Sequence, residues 1–292
     1  MENMENLFSY TSVQFDVVRH ILTLGVGAQV AGLVYFLTTA NESSPRYRLS
    51  STLSAVVMVS AALILLNQQI NWSQAFTWDG ERWNPSTTTF SNGYRYVNWS
   101  IDVPMLLTQL LVVLGITGRQ FRRTFIGFVV AGLLMIYTGY VGQFYETTDI
   151  ATMHIWGAVS TVFMIYICYL VGTSIFRAAQ TMPGDTGSHA RAIFWLLILS
   201  WTLYPIAYAM PWLSPTADGM VIRQICFTVA DITSKVIYGV MLSQLATKLS
   251  AIEGYQPGLA ATTSAAYKTI EPAYDGETTR RTQPAYGDGV SR

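Results

Sequence analysis

The chain has 292 residues, of which 51% are hydrophobic and 12% charged, and its formal net charge is zero. Such a balance excludes the basic surface that nucleic-acid binding requires, and a mean hydropathy of +0.33 is high for a soluble globular protein. Cys168 and Cys226 fall inside apolar runs and read as buried free thiols rather than a disulfide framework.

Residues 1–16 are acidic and polar, with no basic stretch ahead of a short apolar core. They read as an extracellular N-terminal segment with a short capping helix, not as a cleaved leader. Seven apolar stretches follow, each near the length of about 20 residues that a helix needs to cross a bilayer. They fall at about 17–40, 49–71, 95–117, 121–145, 149–176, 190–212 and 219–249. Between the second and third, WSQAFTWDGERWNPSTTTFSNGY reads as a small β-hairpin. Residues 251–292 are poor in large aliphatics and read as a disordered cytoplasmic tail. The expected fold is therefore an all-α membrane protein, a seven-transmembrane-helix bundle whose transport domain is 17–250.

Basic residues set the orientation. Arg46, Arg48, Arg119, Arg122, Arg123, Arg177, Arg191 and Lys248 fall in or beside the links on one side, whereas the other side has Arg82 among acids. The N-terminus is expected outside and the C-terminus in the cytoplasm, with the protein in the cell membrane.

Charges inside the spans carry the functional signal. A charge at bilayer depth costs roughly 2.5–3.5 kcal/mol even on the lenient insertion scale, so it should be paired and face the bundle interior. Lys235 is the lysine that falls within a span, and Asp102 and Asp231 are the deep acids. Asp16 and Glu146 lie near span ends, where water suffices. Asp231 and Lys235 are four residues apart and share one helix face. Arg95, Asn98, Asp102 and Gln109 form a single polar stripe on the third helix. Arg95 and Lys235 against Asp102 and Asp231 leave the interior neutral.

A lysine in an apolar pocket can lose its proton and condense with an aldehyde to a Schiff base. The protonated product needs a carboxylate counterion. Trp99, Trp201, Tyr204 and Tyr238 are suited to enclosing a flat conjugated ligand. No nucleophile–base–orienter set and no metal cluster stands out, so an enzyme is not expected.

Three motifs on three helices then resemble one family. Asp231-x-x-Ser234-Lys235, Arg95-Tyr96-x-x-Trp99 and Trp201-x-x-Tyr204-Pro205 are similar to the signatures of the microbial rhodopsins over roughly residues 5–250. The resemblance implies all-trans retinal as a protonated Schiff base on Lys235, with Trp99, Trp201, Tyr204, Pro205 and Ser234 in its pocket. The three helix-three positions that separate the transport classes hold Asn98, Asp102 and Gln109. This pattern, with NWSIDVPMLLTQ, SAVVMVSA, GQFYE and DGMVIRQ, resembles the light-driven sodium pumps. It implies outward Na+ transport, with H+ carried when Na+ is scarce and transient Na+ coordination at Asn98, Asp102 and Asp231. It maps Ser54, Ser60, Gln68 and Gln109 onto a cytoplasmic uptake cavity and helix-two/three contacts. Arg95, Glu5, Glu146 and Arg223 map onto an outer release region. Ser51 and Ser243 depart from the residues common at the cytoplasmic mouth. The family implies a homo-oligomer, a pentamer. Gly157 reads first as a helix-packing glycine, with a gap for an antenna carotenoid as the alternative. Rival functions are an outward proton pump, an inward chloride pump and a photosensor signalling through a separate transducer.

Overall fold

In the computed structural model, which describes residues 3–257, seven helices of 21 to 36 residues are long and apolar enough to cross a membrane. They are α1 (Ser12–Thr39), α2 (Arg48–Ala75), α3 (Gly93–Val113), α4 (Gly118–Gln143), α5 (Ile150–Ala179), α6 (Thr186–Leu213) and α7 (Ala217–Ile252). Short links make sequential neighbours antiparallel. The expected tail lies, from residue 258 on, outside the described residues.

The first helix begins five residues earlier than hydropathy suggests. Thr11 caps it, its hydroxyl accepting from the Gln14 N–H while the Gln14 side chain accepts from the Thr11 N–H. This reciprocal pair satisfies two otherwise orphaned donors, so residues 12–16 join the helix. Ahead of it, Met4–Leu7 form one 3-10 turn. Asp149 and Thr216 cap α5 and α7 at the same end of the bundle.

The link after α2 folds into two short antiparallel strands, β1 (Phe76–Trp78) and β2 (Trp83–Pro85). Gly80 turns the chain at φ 108°, while Asp79 accepts from the N–H groups of Glu81 and Arg82. Tyr10 bridges to Trp83 through two backbone hydrogen bonds of 2.8 Å. Phe15 stacks on Trp83 with ring centroids 3.8 Å apart. The N-terminal segment is thereby sealed onto this hairpin end of the bundle.

The apolar core is interrupted. One cluster, around Phe15, Leu22, Leu65, Trp72 and Val221, lies toward the hairpin. A larger one, around Phe36, Met58, Leu107, Trp201 and Tyr238, fills the rest. Along α1, α2 and α7 the change from one to the other falls at Gln29, Ser60 and the Asp231–Lys235 stretch. Around Lys235 the seventh helix loosens into a π-helical stretch, Ile232–Ile237, a feature frequent at functional sites. Outside, Leu24, Val34, Leu37, Val162, Ile165 and Leu199 are exposed, as lipid-facing helices require. Cys168 and Cys226 are free but half-buried rather than buried.

Gly25 shows what closes the bundle. A Cβ there would stand 2.8 Å from Thr228 Cγ2 and 3.0 Å from Leu65 Cδ1, whereas at Gly27 one would meet nothing within 4 Å. Gly25→Leu is therefore expected to destabilise the fold by about 1–3 kcal/mol through overpacking. Gly27→Leu should leave the thermal unfolding midpoint unchanged when both are followed by circular dichroism.

Candidate functional site

The α3 stripe and the α7 pair meet in the interior. Lys235 Nζ lies 3.0 Å from Asp102 Oδ2 and 2.9 Å from Asp231 Oδ1, and donates to Asn98 Oδ1 at 2.6 Å. All four side chains are buried. Both carboxylates neighbour the amine, but their surroundings differ. Asp231 Oδ1 also accepts from Tyr204 at 2.9 Å and from Trp99 Nε1 at 3.4 Å. Its Oδ2 pairs with Arg95 Nη1 at 3.0 Å. Asp102 has the amine as its ion-pair partner, and among the described residues its Oδ1 accepts no hydrogen bond. Asn98 is oriented by its own amide, which donates to Ser60 Oγ at 2.9 Å. Ser234 contacts the Tyr204 hydroxyl at 3.1 Å.

A predominantly apolar cavity opens beside the amine, walled by α3 to α7. Trp99, Trp201, Tyr204, Pro205, Ser234 and Lys235 all line it, as do Tyr96 and Tyr208. The expected pocket residues thus converge on one space. Tyr238 is not among its walls; its hydroxyl donates to the Leu106 carbonyl. An apolar, ring-lined space reaching a lysine amine flanked by two carboxylates fits a flat conjugated aldehyde such as retinal. Gly157 faces this space too, but a Cβ on it would stand 2.6 Å from the Tyr208 ring. Tyr208 fills the gap, and close helix packing accounts for the glycine.

On the side away from the hairpin, Ser54 Oγ donates to Gln109 Oε1 at 2.5 Å, both groups buried. Ser51 and Ser243 are buried toward the same end. Of the two roles expected of its set, Gln68 takes the helix-two/three contact and not the uptake cavity. It lies at the hairpin end, donating to the Ser91 carbonyl at 2.6 Å. Its position two helical turns beyond Ser60 on α2 carries it past the lysine, so it ties α2 to the start of α3 instead.

A second charged cluster lies toward the hairpin. Arg223 grips Glu146 with both terminal nitrogens, at 2.6 and 2.7 Å, and pairs with Glu5 Oε2 at 3.2 Å. Gln143 accepts from it at 3.1 Å. The 3-10 turn closes this cluster, since the Met4 N–H donates to Glu146 at 2.7 Å. Glu146 is therefore buried and paired rather than bathed in water, unlike Asp16, which stays half-exposed beside Arg19. Burial pushes the Glu5 carboxyl above the ordinary carboxylate range despite the pull of Arg223.

Gln224 links the two clusters, a role that the sequence reading missed. Its Oε1 accepts from Arg95 Nη2 at 3.0 Å, and its Nε2 donates to Glu5 at 2.7 Å and to Asn92 at 2.9 Å. Its spacing of seven from Asp231 was the available signal, because it puts both on one helix face. Counting both clusters, three buried cations (Arg95, Arg223, Lys235) face four buried carboxylates (Glu5, Asp102, Glu146, Asp231). Counted with the expected neutral set of four, the Arg223 cluster leaves the carboxylates one ahead of the cations.

Comparisons with known proteins agree with this architecture. The family model described as bacteriorhodopsin-like protein matches residues 16–249. Archaerhodopsin-1 of Halorubrum ezzemoulense is 31% identical over 173 residues, which is 59% of this chain and 64% of that relative. The green-light absorbing proteorhodopsin of Gamma-proteobacterium EBAC31A08 is 23% identical over 83% of this chain and 88% of its own length. Among solved structures, a thermophilic rhodopsin superposes with a TM-score of 0.80 at 29% identity, covering 87% of this chain and all of the other. Xanthorhodopsin, described as a light-driven ion pump with dual chromophore, also gives 0.80, at 28% identity, covering 85% of this chain and 99% of its own. With seven membrane-length helices, a buried lysine between two carboxylates and a family match across nearly the whole bundle, this chain belongs to the bacteriorhodopsin-like proteins, the microbial rhodopsin family.

Proposed function

We propose that the protein is a light-driven pump that moves Na+ out of the cell, working through all-trans retinal on Lys235 and carrying H+ when Na+ is scarce. One constellation carries the reading: Asn98 Oδ1 and Asp102 Oδ2 at 2.6 and 3.0 Å from Lys235 Nζ, with the neutral Gln109 further along the same helix. The likeness to xanthorhodopsin, a light-driven ion pump, supports the light-driven part.

When bound through Lys235, retinal supplies the light-driven change of shape and a titratable proton on the lysine nitrogen. The chain does the rest. At rest the positive Lys235 nitrogen repels a cation from the middle of the bundle. For unit charges about 4 Å apart at an effective dielectric near 20, the energy is on the order of 4 kcal/mol. Asp102 is the natural proton acceptor. Asp231 already receives Arg95, Tyr204 and Trp99 in addition to the lysine, whereas among the described residues Asp102 has the lysine as its one ion-pair partner. Moving the proton from Nζ to Asp102 Oδ2 neutralises both partners at once and removes the repulsion. Asn98 Oδ1 loses its donor at the same moment, and a hard cation prefers such an oxygen. Returning the proton to Nζ closes the path behind the ion.

Gln109 explains why the cargo is not simply a proton. An amide hydrogen-bonded to Ser54 has no proton to relay toward Lys235. The arginines at the end opposite the hairpin support a cytoplasmic position for that end, and on that orientation the reading is of outward transport.

Cells in NaCl that are illuminated with a protonophore present should show light-driven alkalinisation that persists or grows. A signal that disappears marks an outward proton pump instead. Separately, Lys235→Ala should show no visible absorption band. Asp102→Asn should keep a band but lose Na+ flux by more than about tenfold, measured in the same cells.

A further inference from the structure

Buried polar atoms without partners are uncommon and each calls for an explanation. Three of them lie on the same side of the bundle. Gln29 on α1, Gln68 on α2 and Thr228 on α7 are all fully buried. Among the described residues, Gln29 Oε1, Gln68 Oε1 and Thr228 Oγ1 have no hydrogen-bond partner. The amide nitrogens of both glutamines are engaged, donating to the Asp231 backbone carbonyl at 3.3 Å and to the Ser91 carbonyl at 2.6 Å. These contacts fix which atom of each amide is the oxygen, because the flipped amide would set two carbonyl oxygens face to face. What remains open in both is an acceptor.

The three sit at successive levels. Gln29 is tied to the Asp231 level of the lysine site. One turn toward the hairpin, Gly25, Leu65 and Thr228 meet, as the close approaches around Gly25 show. A further turn along α2 from Leu65 is Gln68, bonded to the segment that opens α3. The three residues thus stand at successive heights on α1, α7 and α2, from the lysine site toward the hairpin.

On the other side of Asp231 the unpartnered buried atoms among the described residues are donors, Arg95 Nε, Arg223 Nε and Gln143 Nε2. Both Asp231 carboxylate oxygens receive donors, and Arg95 stands behind them with Gln224 and Phe227. A cation sent that way would meet a guanidinium held at 5.0 Å from the Phe227 ring and would have to break the Arg95–Asp231 pair.

We propose that Gln29, Thr228 and Gln68 form the outward passage for the transported cation, a line of side-chain oxygens between α1, α2 and α7 that leaves the Arg95–Asp231 pair closed. The proposal rests on the sodium reading above and names the residues that carry the ion after it passes Asn98 and Asp102. Oxygens without donors suit a small alkali cation, and a proton moving along hydrogen bonds has less need of them. Gln29 also holds the Asp231 carbonyl where α7 enters its π-helical stretch, so it couples the passage to the lysine-bearing segment.

The test compares light-driven flux in full-length protein, in NaCl with protonophore and in Na+-free medium without it. Thr228→Val removes the hydroxyl at nearly constant volume, and Gln29→Met removes the amide oxygen. Each is expected to lower the ratio of Na+ flux to H+ flux about three- to tenfold, the loss set by one ion–oxygen contact. Thr228→Ser should restore the ratio. An unchanged ratio in both variants overturns the passage, as does an equal fall in the two fluxes, which marks a purely structural role. Should Thr228→Val fail to form pigment, Gln29→Met decides alone. If the unmodified protein itself moves no Na+, the sodium reading falls, and the passage with it.

Discussion

The ammonium of Lys235, held between two carboxylates inside an apolar bundle, is the constraint on which the rest of the structure depends. A lone charge at that depth would cost several kcal/mol. Two anions and an amide oxygen within 3.0 Å make the burial tolerable. They also fix the geometry, since Asp102 and Asn98 come from α3, Asp231 and the lysine from α7, and all must meet at one nitrogen. The apolar core gives way at this level and divides into two clusters. The π-helical stretch Ile232–Ile237 lies at the same place.

The two carboxylates are not equivalent, and the difference comes from their neighbours rather than their distances. Asp231 is committed to Arg95, Tyr204 and Trp99 as well as to the lysine, so its charge is shared among fixed donors. Among the described residues Asp102 has one ion-pair partner, the lysine. One carboxylate is held by several donors and the other by few, the kind of asymmetry that sets the proton affinities of neighbouring acids apart.

Toward the hairpin, the Glu5–Glu146–Arg223 cluster shows how far an interior can be wired by neutral amides. Gln224, Asn92 and Gln143 fill the space between the arginines and the acids. They spread charge without adding any. A single surplus carboxylate remains, and the raised proton affinity of Glu5 is the response of a buried group with too few cations to answer it. The 3-10 turn of the N-terminal segment is held in place by this cluster and by the Tyr10–Trp83 bridge.

Much of this was legible in the chain. Apolar length gave seven helices, because a bilayer leaves few other ways to satisfy backbone polar groups. Helical periodicity placed Arg95, Asn98, Asp102 and Gln109 on one face, and the spacing of Asp231 and Lys235 joined them as a pair. Those are properties of single helices, fixed by the local sequence. Helix starts were less legible, since the Thr11 capping box decided where α1 begins against the weaker hydropathy of 12–16. What the sequence could not contain was the meeting of different helices. That Gln68 lies past the lysine rather than before it, that Glu146 is buried on Arg223, and that Gln224 joins two clusters all depend on the relative heights of packed helices. Those heights are set by close approaches such as Gly25 on Leu65 and Thr228. No local pattern encodes them, because each is a distance between residues far apart in the chain.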